Sequence, residues 1–113
     1  MAENWIPLTT QAQLDTIREQ SYQAPQLIFK HSTRCSISSV ALNRMDPKKI
    51  PQPIACYYLD LLRYRELSDQ IAESFQVYHE SPQILLIRNG ECIYEESHLG
   101  INPAELARQA AVA

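Results

Sequence analysis

A chain of 113 residues with 45% hydrophobic and 20% charged side chains has enough apolar material for one packed domain over residues 1–113, and too little for two. Its net charge of −3 supplies no basic footprint, which speaks against nucleic acid as a partner. No apolar run approaches the roughly 20 residues of a membrane span, so no membrane partner is expected. Two glycines, Gly90 and Gly100, exclude the glycine-rich phosphate loops of nucleotide-dependent enzymes. Met1-Ala2-Glu3-Asn4-Trp5 lacks the basic start and apolar stretch of a signal peptide, and the expected address is the cytoplasm. Cys35, Cys56 and Cys92 fit no zinc spacing, so no metal site is expected, and in a reducing compartment they should be free thiols.

In chain order, residues 4–8 read as a short edge strand whose pairing Pro7 limits. Thr10 followed by Gln13 is a capping-box pattern, and Leu14 and Ile17 continue it as a helix over about 10–21, ended before Pro25. Gln26-Leu27-Ile28-Phe29-Lys30-His31 reads as a buried strand. Ile37, Val40, Ala41 and Met45 recur at helical spacing and predict a helix over 35–45, stopped by Asp46-Pro47. Residues 46–53, with three prolines, form a stiff loop. Ile54 to Leu61 predicts a strand buried on both faces, and Leu67, Ile71 and Phe75 a helix over about 64–75. Residues 83–87 and 91–94 flank Asn89-Gly90, a strong hairpin signal. Asn102 and Pro103 then open a last helix carrying Leu106 and Ala110.

The order is β-α-β-α-β-β-α after a leading helix. Strand–helix–strand units of this length imply parallel crossovers, and the hairpin adds an antiparallel pair. The expected result is an α/β fold: a mixed four-stranded central sheet with helices on both faces, an extra N-terminal helix and a short edge strand. That is a thioredoxin-like architecture.

In such a fold the reactive thiol belongs at the start of the helix after the first core strand, where Cys35 stands. Unpaired first-turn N–H groups and the positive end of the helix dipole favour thiolate, the reactive form. Arg34 adds positive charge, and Thr33, Ser36 and Ser38 complete a polar setting. Ser38 occupies the second position of a dithiol pair, so the chemistry is monothiol. Cys35 could instead be a small core hydrophobe, but its polar neighbours suit an exposed loop-to-helix junction. Ser38 either bonds the thiolate or is a tolerated helix residue. Cys56, inside a strand, reads as core packing. Cys92, after the hairpin turn, should lie along the sheet edge, away from Cys35. His31 and His79 read as structural histidines, and Glu95-Glu96 as a solvated pair.

Ser81-Pro82 precedes the third core strand, where a first-position proline removes no ladder bond. In thioredoxin-like folds this place corresponds to a cis-proline facing the active cysteine, with the preceding backbone free to pair with a thiol substrate. Ser81 and Pro82 are therefore the candidate substrate-binding residues. An ordinary trans proline opening a strand is the plainer alternative.

The strings Lys30-His31-Ser32-Thr33-Arg34-Cys35-Ser36-Ile37-Ser38 and His79-Glu80-Ser81-Pro82-Gln83, with Asn89-Gly90-Glu91 and Ser97-His98 behind them, closely resemble the YtxJ family over nearly the whole chain. These are small thioredoxin-like proteins of the bacillithiol system, described as monothiol bacilliredoxins. In that family the motif commonly reads Thr-Cys-Pro-Ile-Ser, whereas Arg34 and Ser36 flank Cys35 here. The resemblance implies Cys35 as nucleophile, Ser38 as the non-resolving position and Pro82 as the cis-proline. It also implies bacillithiol as co-substrate, no tightly bound cofactor, and bacillithiolated cytosolic proteins together with a low-molecular-weight thiol as partners. A phosphatase-like or arsenate-reducing thiol is discounted, because Cys-x5-Arg would need arginine where Ala41 stands. A glutaredoxin with an iron–sulfur cluster lacks its Cys-Gly-Phe-Ser signature. The remaining rival is a thioredoxin-fold binding module that uses the Pro82 groove without redox turnover.

Overall fold

The structure, a computed structural model, describes residues 5–51 and 53–111. Five strands form one mixed sheet: β1 (Ile6–Pro7), β2 (Gln26–His31), β3 (Ala55–Asp60), β4 (Gln83–Arg88) and β5 (Glu91–Ser97), in the spatial order β1-β3-β2-β4-β5. β3 runs parallel to both β1 and β2, while β4 is antiparallel to β2 and to β5. The four expected central strands are β2 to β5, and the short edge strand β1 joins them as a fifth. The edge strand pairs with β3 over two residues, and the Leu8 N–H then donates to the Tyr58 carbonyl at 2.8 Å, so the N–H that Pro7 lacks would face the outer edge of the sheet. Asn4, the first residue of the predicted edge strand, lies outside the described residues.

Four helices cover the sheet: α1 (Gln11–Gln20), α2 (Ser36–Arg44), α3 (Arg65–Phe75) and α4 (Pro103–Ala111). The capping box at α1 is complete, with Thr10 accepting from the Gln13 N–H and the Gln13 side chain returning to the Thr10 N–H. Asn102 caps α4 through the Ala104 and Glu105 N–H groups. Gln76 ends α3 in the left-handed region. The predicted loop 46–53 contains one 3-10 turn, Pro47–Lys49, started by Asp46 accepting from Lys48 N–H; Gln52 is outside the described residues. At the hairpin, Asn89 and Gly90 take φ of 55° and 78°, the pair of positive values a tight two-residue turn requires.

Strand alternation separates two apolar cores. Leu27 and Phe29 of β2 pack with Trp5, Ala41, Met45, Ile84, Leu86 and Leu106 on the α2/α4 face. Ile28, Leu59, Leu85 and Ile87 pack with Leu14, Ile17, Leu67, Ile71 and Phe75 on the α1/α3 face. Central β2 is buried at all six residues. β3 departs from the expectation of full burial: Tyr57 and Tyr58 are half-buried, since only the two-residue β1 lies beyond it.

Candidate active site

The parallel strands and the antiparallel β4 bring three chain segments to one end of the sheet. β2 ends there at His31, which pairs with Asp60 at the end of β3. β4 begins there, with Gln83 opposite Lys30 on one side and Ser97 of β5 on the other. The loop from β2 into α2, the loop after β3, and Ser81-Pro82 consequently share this end.

Cys35 is the N-cap of α2 (φ −112°, ψ 119°), one residue before the helix itself, which the periodicity starts at 35. Its N–H donates to the Ser32 carbonyl at 3.2 Å, and its carbonyl accepts from Ser39 N–H at 3.1 Å. That last contact is the first helical bond, so the N–H groups of Ser36, Ile37 and Ser38 have no carbonyl a turn earlier to bind. The thiol is half-buried, among exposed Thr33, Arg34 and Ser36.

Ser38 is fully buried, with its hydroxyl turned toward the strand. Its Oγ lies 2.6 Å from His31 Nδ1 and accepts from Ser32 N–H at 3.1 Å. The hydroxyl thus joins the His31 ring to the backbone of Ser32. Burial is the main reason His31 titrates below the ordinary histidine value, with Asp60 and Ser38 pulling the other way. Between the two sequence readings, a thiolate donor or a passive helix residue, the structure thus gives a third. Ser38 staples α2 to the loop that carries Cys35.

The Ser81-Pro82 bond is cis. The Pro82 carbonyl accepts from His98 N–H at 3.0 Å, fixing the start of β4 against the chain after β5. Ser81 Oγ is hidden from solvent with no hydrogen-bond partner among the described residues. Around this end, Ile37, Leu62, Tyr78 and Leu99 are exposed apolar side chains. Sequence reading did not group them, because only the sheet order brings them to one end.

The other thiols are placed elsewhere. Cys56 is in the α2/α4 core, where burial pushes it up to about 12. Cys92 pairs with Ile87, which itself lies opposite Gln26 at the far end of β2. A six-residue strand, about 17–20 Å, separates that end from His31, well beyond disulfide reach of Cys35. Burial pushes Cys92 up to about 11. Sequence reading also passed over Lys30 as one more strand residue. It is wholly buried and meets Ser68 and His79, and its charge inside an otherwise apolar strand was the available signal.

Residues 6–106 match the family described as Monothiol bacilliredoxin BrxC. A solved thioredoxin-fold structure whose description proposes an oxidoreductase is 32% identical, with 94% of this chain and 93% of that one covered at a TM-score of 0.83. A mutant thioredoxin from Halobacterium salinarum NRC-1 (13% identity, coverage 98% and 91%) and the thioredoxin from Trypanosoma brucei brucei (12% identity, coverage 99% and 92%) each superpose at a TM-score of 0.74, which speaks to the fold. A thiol at a helix start, on a sheet of this order and within a family match over nearly the whole chain, identifies the protein as a thioredoxin-fold thiol oxidoreductase belonging to the monothiol bacilliredoxin family.

Proposed function

We propose that Cys35 is the nucleophile in a monothiol exchange that removes bacillithiol from bacillithiolated cytosolic proteins. The Cys35 thiolate attacks the bacillithiol sulfur of a mixed disulfide. A new sulfur–sulfur bond forms to Cys35, the old one breaks, and the protein leaves as thiolate and takes up a proton. Cys35 then carries bacillithiol. A second low-molecular-weight thiol attacks that adduct, Cys35 leaves as thiolate, and the unpaired first-turn N–H groups of α2 and the Arg34 charge receive it. Thr33 and Ser36 are the polar neighbours of that thiol, and Ser38 holds the loop from behind. Ser81 and Pro82 form the substrate ledge, with the Ser81 backbone pairing with an extended segment of the protein substrate. Exposed Ile37, Leu62, Tyr78 and Leu99 suit a protein substrate better than a small thiol alone.

The observation that carries this reading is that Cys35 stands alone: Cys56 is in the core and Cys92 is at the far end of the sheet. Intact-mass measurement after incubation with oxidised bacillithiol tests it. One stable adduct on Cys35, absent from Cys35→Ser, is expected. An adduct that resolves without added thiol, leaving an intramolecular disulfide, would reject the monothiol cycle.

A further inference from the structure

Lysine is almost never fully buried without partners, yet Lys30 has no exposed surface in the central strand. Its Nζ donates to the Ser68 carbonyl of α3 at 3.1 Å and meets His79 Nδ1 at 3.3 Å. The Ser68 hydroxyl approaches the same Nδ1 at 3.3 Å. An ammonium offers protons and no lone pair. Burial lowers Lys30 to about 8, so at neutral pH it is an ammonium; there Nδ1 is an acceptor, and His79 is neutral with its proton on Nε2. Three pieces of chain meet at this ammonium: β2, which leads to Cys35; α3; and the loop 76–82, which leads through His79 to Ser81-Pro82.

We propose that Lys30 and His79 are positioning residues for thiol exchange, forming a neutral-histidine latch that holds the Ser81-Pro82 loop against the strand leading to Cys35. The assignment rests on the reading that a protein substrate docks along Ser81-Pro82. Its consequence is a dependence on pH that is separate from the titration of the thiol. Protonating Nδ1 would set an N–H against an ammonium, donor against donor and cation against cation.

The groups facing His79 have opposing effects. Lys30 from β2 and Arg65 from α3 disfavour its protonation, while Asp69 from α3 and Glu80 beside it in the loop favour it. Glu80 Oε1 also lies 3.6 Å from His98 Nε2. Burial, the largest influence, disfavours protonation, and the net direction is downward from the ordinary histidine value. The latch is closed at neutral pH, where Lys30 keeps its charge and His79 is unprotonated, and it opens in acid.

The test compares wild type with His79→Gln, His79→Ala and Lys30→Met in single-turnover exchange with a bacillithiolated peptide. A small aromatic disulfide, which has no peptide backbone to dock, serves as the second substrate. Glutamine can keep an acceptor oxygen toward Lys30 at every pH. At pH 7, His79→Ala and Lys30→Met should lose about tenfold with the peptide through a raised KM, as expected when a docking surface is misplaced. His79→Gln should restore most of that, and all four proteins should react alike with the aromatic disulfide. Between pH 7 and 5.5 the wild-type rate with the peptide should fall about threefold or more relative to His79→Gln. Cys35 is common to both proteins, so its own titration cancels in that ratio. Hydrogen exchange at the amides of 77–81, referred to His79→Gln, should rise over the same range.

A flat ratio with unchanged loop amides in both His79→Ala and Lys30→Met overturns the latch. Loosened amides with unaltered peptide exchange would show instead that the loop is held but is not the docking ledge, overturning the positioning role. The two His79 variants alter an exposed side chain, so a folding defect in Lys30→Met would still leave the pH ratio to decide.

Discussion

Three cysteines in one chain differ here only by where the fold puts them. Cys35 caps a helix at the surface, Cys56 is enclosed by the α2/α4 core, and Cys92 sits half-buried on the edge strand. Burial pushes the latter two thiols up to about 12 and 11. Only the thiolate alkylates at an appreciable rate. Limiting iodoacetamide at pH 8 should therefore label Cys35 first, with Cys56 and Cys92 reacting only after denaturation, as read by peptide mass spectrometry. Early labelling of Cys92 would contradict the placement of the reactive thiol. His31 and His79 are alike in one respect: desolvation is the largest influence on each and lowers both from the ordinary histidine value.

At the scale of elements, the junction between β2 and α2 is where sequence turns into geometry. The strand is a run of central-sheet residues, and the helix begins as soon as the polar loop ends. What joins them is Ser38, one turn into α2, reaching back to His31 and Ser32. Replacing it with alanine leaves a buried backbone N–H and a ring nitrogen without partners. An unsatisfied buried group costs about 1–3 kcal/mol, so Ser38→Ala should lower the free energy of unfolding by roughly that much in urea titration. It should also slow exchange by loosening the loop that holds Cys35. Unchanged stability would mean that the bonds to Ser38 are replaced by water.

For the whole molecule, two histidines with inward-turned Nδ1 atoms make folding sensitive to mild acid. Both titrate lower in the folded chain than the ordinary value near 6.5, chiefly through burial. Below that value the unfolded chain binds protons that the folded one refuses, so stability rises with pH there and is lost as pH falls. The loss starts near 6.5 and continues until the folded-state histidines themselves protonate. The urea midpoint of wild type should therefore drop between about pH 7 and pH 5, above the range in which carboxylates titrate. The double variant His31→Gln/His79→Gln should show a flatter profile. An identical drop in both proteins would assign the acid sensitivity to other groups.

Much of this protein could be read along the chain, because local chemistry sets local structure. The capping box at Thr10, the Asn89-Gly90 turn, the Asn102-Pro103 start and the six-residue strand 26–31 all rest on neighbours within a few positions. Their order implied the sheet, and the sheet implied where the thiol belongs. What the chain could not specify by itself was contact between distant residues. Lys30 looked like an ordinary strand residue until tertiary packing set it against Ser68 and His79, 38 and 49 positions away. Ser38 read equally as a partner for the thiol or a tolerated helix residue until the loop folded back onto His31. The exposed Ile37, Leu62, Tyr78 and Leu99 come from four separate segments. Periodicity reports which residues face inward, since burial follows the repeat of the backbone. It does not report what they meet there, because that depends on strand order and on which end of the sheet each loop returns to.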